Sequence, residues 1–171
     1  MLLVSGGTSV GVHDYVRPVI EALGVRMKFW RVAMKPGHPV AFGLGPNTVF
    51  FGLPGNPVSS MVCFEQFVAP ALRRMMGHAR VFCRTVSARL THDLKHLPGR
   101  TEFVRVMLAP EQGGYAATST GAQGSGMLLS MARADGLMVV PAANTGLLAG
   151  AEVTVQLLDG TMFQDQPGFR G

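Results

Sequence analysis

The run Gly52-Leu53-Pro54-Gly55-Asn56-Pro57 constrains the fold of this chain most. It follows the apolar stretch Val49–Gly52 and leads into a segment with helical periodicity. Proline cannot donate to a sheet ladder or sit in a helix interior, but it is preformed for the first helical position. The chain must therefore leave a strand, turn, and enter a helix at Pro57. A second such loop, Lys35-Pro36-Gly37-His38-Pro39, lies upstream, and a third, Ser5-Gly6-Gly7-Thr8-Ser9-Val10-Gly11, follows the first apolar run. Small-residue loops at strand ends present backbone N–H groups to anionic ligands. Three of them close together point to a ligand site rather than a plain scaffold.

Leu2 to Ser5 reads as a buried strand. Asp14 to Leu23 reads as a helix that Asp14 can cap, with Val16, Val19, Ile20 and Leu23 on one face and Gly24 as its stop. Pro18 falls near the first turn, where proline is tolerated. Met27 to Met34 reads as a second strand, and Val40–Gly43 and Val49–Gly52 as two short strands around Gly45-Pro46-Asn47. Asn56 is expected to cap a long helix whose apolar face is Val58, Met61, Val62, Val68 and Leu72. Arg73 and Arg74 fall in its last turn, where the helix dipole favours cations, and Gly77 ends it. This order of elements is α/β grammar, and ligands in open α/β sheets bind beyond the carboxyl ends of strands. The layer looks incomplete, because the chain opens in mid-sheet and two helices are few for a doubly wound fold.

After Gly77 the pattern changes to short strands: Val81–Leu90, Glu102–Leu108, Tyr115–Thr118, Gly136–Val140 and Glu152–Leu158. In Glu102–Leu108, Phe103, Val104, Val106 and Leu108 are set against Glu102, Arg105 and Met107. Gly/Pro/Asn turns at this spacing indicate a small β-barrel or sandwich. One or two helical turns are expected in Gly126–Arg133. The fold class is thus α/β followed by all-β, with residues 1–78 as one domain, 79–163 as a β-barrel domain and 164–171 as a flexible tail.

With 47% hydrophobic and 15% charged residues, the chain can build a core and is rather apolar for a self-contained unit of 171 residues. No stretch reaches the roughly 18 apolar residues of a transmembrane helix. A net charge of +5 fits either a basic solvated surface or an anionic ligand. Nucleic acid is disfavoured, because no Lys/Arg run is interleaved with aromatics. Cys63 and Cys83 are too few and too far apart for a disulfide framework or a metal knuckle, and free cytosolic thiols are expected.

Asp14 can serve as the helix N-cap or set a carboxylate beside a phosphate, where it could hold a divalent cation. Lys35, a cation between two glycine loops, suits an oxyanion. Arg31, four residues earlier on the expected strand, would point to the same side. His38 can bind a ligand or merely line its loop. No Gly-Lys-Ser/Thr ends the Gly52–Pro57 run, so it is not a Walker loop, and no Gly-x-Ser-x-Gly elbow is present. Ser5 and Ser9 more plausibly donate hydrogen bonds than attack as nucleophiles. Gly121-Ala122-Gln123-Gly124-Ser125-Gly126 reads as a flexible polar turn or a further part of the site.

Five segments together resemble the C-terminal half of the molybdopterin molybdenumtransferase family (bacterial MoeA and the gephyrin E domain). They are SGGTSVGVHDYV (5–16), FWRVAMKPGHPVAFG (29–43), GLPGNPVSSMVCFEQFVAPALRRMMG (52–77), GRTEFVRV (99–106) and STGAQGSGMLLSMARADGLMVVP (119–141). The resemblance implies a partial three-layer, MogA-like molybdopterin-binding α/β domain followed by a small β-barrel. It implies a cytoplasmic step of molybdenum cofactor synthesis in which adenylylated molybdopterin loses AMP and molybdate enters the dithiolene, with a divalent cation such as Mg2+. By position it makes Asp14, Lys35 and Arg31 catalytic, with Asp14 also the metal ligand. It places substrate contacts at Ser5, Gly6, Gly7, Ser9, Gly11, Gly37, His38, Pro54, Gly55, Asn56 and Ser125. Arg31 stands where some members carry lysine, His38 where a second lysine is usual, and Val12 where an acid is usual.

Family members are homodimers that carry an elongated N-terminal region and the first half of the pterin domain before the Ser-Gly-Gly loop. Neither region is present here, so the chain is expected to be the C-terminal fragment of the full enzyme. The alternative is a non-catalytic molybdopterin-binding or scaffold module. Neither nucleic acid nor a membrane is expected as a partner.

Overall fold

A computed structural model of the chain describes residues 1–7 and 15–158. The first sheet is formed by β1 (Leu2–Ser5), β2 (Arg26–Phe29), β4 (Ala41–Leu44) and β5 (Val49–Leu53), in the order β1-β5-β4-β2, and β3 (Met34–Lys35) lies between β2 and β4 in the chain. β1 runs parallel to β5, whereas β4 is antiparallel to both β5 and β2. Along β5 the side chains alternate between faces as strand geometry requires. Phe50 joins Ile20, Val25 and Ala41 under α1 (Val16–Ala22), while Phe51 and Leu53 face α2 (Pro57–Cys63). Two helical layers thus cover a mixed sheet, which is the three-layer α/β arrangement expected.

Several local expectations change. β1 was expected to be buried, but Leu2 and Leu3 are 40% and 42% exposed. β1 is the edge of its sheet and pairs only with β5 among the described strands; Val4 packs on the cluster beneath α1, while Leu2 and Leu3 stay open. The second strand stops at Phe29 rather than Met34, because the chain leaves the first sheet there and Met34–Lys35 joins the other one. Arg31 and Lys35 therefore do not share a strand face. The long helix is really α2, a π-helical stretch at Phe64–Val68, and α3 (Ala69–Met75). Pro70 lacks an N–H and its ring would strike a carbonyl one turn back, so a widened turn ahead of it relieves that conflict. Met61, placed on the apolar face, is 42% exposed. Asn56 precedes Pro57 as expected but makes no side-chain cap; its amide points elsewhere.

The second half holds β6 (Thr85–Leu90), β7 (Leu94–Lys95), β8 (Thr101–Glu111), β9 (Gly114–Ser119), α4 (Leu128–Ala132), β10 (Gly136–Val140), β11 (Gly146–Leu147) and β12 (Glu152–Leu157). Five of these strands run β10-β12-β6-β9-β8, and a further pairing of β10 with β8 closes them into a barrel. Closure removes the exposed edges an open sheet would present. The barrel is filled by Leu90, Val104, Val106, Ala117, Met138, Val140 and Val155, all 0% exposed. β6 begins at Thr85, four residues later than the sequence pattern indicates.

β3 adds to the barrel as a parallel neighbour of β8, with Met34 opposite Thr101 and Lys35 opposite Glu102. A single apolar cluster also spans both halves, joining Met34, Val40, Phe51, Val58 and Val62 to Met131, Ala134 and Leu137. Two expectations follow. Trp30 packs beside α1 in the first half, so its fluorescence and the far-UV signal should report one coincident urea transition, because a shared core couples the halves. Separate transitions would contradict that coupling. A Cβ added at Gly136 would run into the Val155 side chain and lie 2.7 Å from the Gln156 carbonyl oxygen. Gly136→Ala should therefore cost about 1–3 kcal/mol in urea denaturation, and an unchanged midpoint would show that the barrel has slack there.

Candidate functional site

The stretch carrying Lys35 is closed on itself at its base. Val32 N–H donates to the His38 carbonyl at 3.1 Å, and the His38 ring Nδ1–H donates back to the Val32 carbonyl at 2.7 Å. His38 thereby fixes its own loop. Gly37, at φ 105°, is the turn residue. A Cβ there would sit 2.5 Å from the Cys63 sulfur, so the loop lies flat against α2 only because the residue is glycine. Cys63 itself is buried, and burial pushes its thiol pKa up to about 12, so it packs as a small apolar group.

Opposite this loop stands the Gly121–Gly126 loop of the barrel half, and a buried arginine holds it. Arg105 is 1% exposed. Its Nε donates to Ser130 Oγ at 3.1 Å and its Nη2 to the Gly124 carbonyl at 3.1 Å. Its backbone N–H donates to Gln123 Oε1 at 2.9 Å. Burial lowers the Arg105 pKa from its usual value, and the nearby Glu102 charge opposes that shift. The polar loop is thus a built wall, not a loose turn. It is locked to α2 as well: the Asn56 amide donates to Ser125 Oγ at 3.1 Å, and Val58 N–H donates to the Ser125 carbonyl at 3.2 Å. That contact is where the Asn56 side chain goes instead of capping.

Between these walls lies a cleft of about 280 Å³ lined by Lys35, Gly37, His38, Ser59, Arg100, Gln123 and Ser125, among others. It carries two cations, Lys35 and Arg100, with hydroxyl and amide groups across from them. Behind Lys35 sits Glu102, whose Oε1 accepts from Lys35 Nζ at 2.8 Å and whose Oε2 accepts from His96 Nδ1 at 2.9 Å. Burial alone would raise the Glu102 pKa, but the hydrogen bonds and charges of Lys35 and His96 outweigh it and hold the carboxyl below its ordinary value. The pattern in β8 sets Glu102 and Arg105 against its apolar residues; three apart, they point to opposite faces of the strand, and both are buried, one against Lys35 and the other under the loop.

The remaining expected residues group elsewhere. Ser5 Oγ donates to the Pro54 carbonyl at 3.4 Å, a carbonyl that Ser60 Oγ also reaches. Gly6 N–H donates to the Leu53 carbonyl at 3.0 Å, and Gly55 lies against Gly6. Ser5 opens onto a second, apolar cleft of about 320 Å³ that Leu53, Met61, Phe64 and Met131 also line. The structure therefore brings Lys35, Gly37, His38 and Ser125 together, with Asn56 behind Ser125, and groups Ser5, Gly6, Pro54 and Gly55 with one another, Ser5 lining the neighbouring cleft. Arg31 is exposed and lines neither cleft. Gly7, at φ 65°, ends the first described segment. Ser9, Gly11 and Asp14 lie outside the described residues.

Sequence reasoning gave no role to Arg100, Glu102, His96 or Arg105, and took Gln123 only as part of its loop. The signal for Glu102 and Arg105 was the pair of charges inside an otherwise apolar strand. Among the described residues no group of three or more His, Cys, Asp or Glu could hold a metal ion. The one carboxylate behind the cleft is already engaged by Lys35 and His96, so these residues do not by themselves fit Mg2+. No described helix is long and apolar enough to cross a membrane.

Two family models match the chain in succession. The one described as "Probable molybdopterin binding domain" matches residues 1–74, and that of the MoeA C-terminal region (domain IV) matches residues 87–158. The molybdopterin molybdenumtransferase of Haemophilus influenzae is 37% identical over 158 residues, which are 91% of this chain and 39% of that protein. The molybdenum cofactor synthesis protein cinnamon of Drosophila melanogaster is 40% identical over 143 residues, 82% of this chain and 24% of that one. The crystal structure of the molybdopterin biosynthesis MoeA protein from Pyrococcus horikoshii superposes with a TM-score of 0.74 at 33% identity, covering 92% of this chain and 37% of that one. The chain spans well under half the length of these relatives. On this evidence it belongs to the molybdopterin molybdenumtransferase family, whose members it matches over their C-terminal part.

Proposed function

We propose that this chain acts in molybdenum cofactor biosynthesis, as the C-terminal part of a transferase that inserts molybdate into adenylylated molybdopterin and releases AMP. The observation that carries this reading is the cleft lined by Lys35, Arg100 and the Ser125 hydroxyl; Gln123 lines it too, but its amide N–H groups donate to the Arg105 and Gly121 carbonyls. Molybdate and the substrate phosphates are oxyanions, and paired cations with convergent N–H and O–H donors are the groups that recognise them. Lysine has three N–H donors. One holds Glu102, which leaves two for an anion. Arg100 adds a second charge, and Ser125 is aimed by Asn56.

In this reading Ser5, Gly6, Gly7, Ser9, Gly11, Pro54 and Gly55 serve the pterin end of the substrate, and Asp14 serves as the carboxylate of the first loop. Arg31, outside both clefts, contributes at most to the field that attracts the anion. Mg2+ would require acids beyond the described residues. A cytoplasmic homodimer completed by the region that precedes this part in the relatives fits the family. If the chain instead holds molybdopterin without turning it over, it will bind the pterin and yield no AMP.

Titration calorimetry with dilute molybdate tests the cleft. Lys35→Met and Arg100→Met should each weaken binding roughly tenfold, the scale of one partly solvated charge-assisted contact. Binding that is unchanged in both variants would remove the cleft as the anion site.

A further inference from the structure

The cleft's central lysine does not stand alone. Lys35 and Glu102 are direct cross-strand partners in the parallel β3–β8 pair. Their side chains meet at 2.8 Å, with Glu102 buried and Lys35 about half exposed. The other carboxylate oxygen is taken by His96, itself buried, whose Nε2 has no hydrogen-bond partner among the described residues. Glu102 is thus pinned from behind by an imidazole and presents its free side to one ammonium.

A surface lysine loses much rotamer freedom when it engages a ligand. Here that cost is already met before any ligand arrives. We infer that Glu102, held by His96, is a positioning residue that fixes the Lys35 ammonium toward the cleft for an oxyanion. The inference rests on the oxyanion reading given above and deepens it. It also makes a claim about sign. Removing the carboxylate adds one positive charge to the site, so a site governed by charge alone would bind molybdate more tightly. A site governed by orientation would bind it more weakly.

Glu102→Gln keeps the side-chain shape, and its effect is read in two ways on the whole chain. The first readout is the Lys35 ammonium signal in nitrogen-15 NMR without ligand, whose assignment comes from its loss in Lys35→Met. Slow exchange should make it visible in the parent protein, and it should vanish or broaden in Glu102→Gln. The second is molybdate affinity by calorimetry. Glu102→Gln should weaken it about five- to tenfold, and should change it less than about twofold in a Lys35→Met background. Tighter binding in Glu102→Gln, or an equal loss with and without Lys35, overturns the positioning role. Should Glu102→Gln fail to fold, Glu102→Asp keeps the charge and shortens the reach; it should blunt the ammonium signal, and an undiminished signal would overturn the role. Should the parent protein bind no molybdate, the oxyanion reading fails, while the ammonium signal still decides whether Glu102 orders Lys35.

Discussion

The pairing of Lys35 with Glu102 is the contact on which the site depends. It joins a two-residue strand from the first half to the longest strand of the barrel, and it does so in a fixed parallel register. A one-residue slip would turn Lys35 to the opposite face and leave Glu102 buried without its cation. An unpaired buried carboxylate is costly, so the ion pair acts as a register lock as well as a site element. Everything the cleft needs follows from that register: the Pro36–Gly37 turn lies over α2, and Arg100 stands just before β8 begins.

The opposite wall has the same logic in a different form. Arg105 is buried beneath a glycine-rich loop and spends its donors on Gly124 and Ser130. A flexible sequence is held rigid by one guanidinium, whose fork suits several acceptors at once. Rigid walls matter for a small anion, because each side chain that must be ordered on binding subtracts from a small total. The apolar cluster shared between the halves, from Val62 to Leu137, packs behind the two walls and ties them to one core.

Much of this was readable in the sequence where one local rule dominated. Pro57 at the first helical position and the strands at Leu2–Ser5 and Gly136–Val140 lie where periodicity and turn residues place them. The π-helical stretch ahead of Pro70 has a local cause, but the misreadings at the site come from long-range pairing. Nothing local says that Met34–Lys35 leaves its neighbours for the barrel, so Arg31 was set beside Lys35 when it lies outside the cleft. Nothing local says that Asn56 forgoes its cap for Ser125, 69 residues away. Glu102 and Arg105 stand out in β8 only as charges, because the pattern reports residue type, not the partners a buried charge will find. The loop at 121–126 reads more readily as a turn than as a site, because Arg105, which holds it, is distant in sequence.

The most direct test of the account is a crystal soaked in molybdate, with data collected at the molybdenum absorption edge. The account predicts one anomalous peak in the cleft, within reach of Lys35, Arg100 and the Ser125 hydroxyl. A peak in the apolar cleft beside Ser5 and Phe64, with the Lys35 cleft empty, would contradict it.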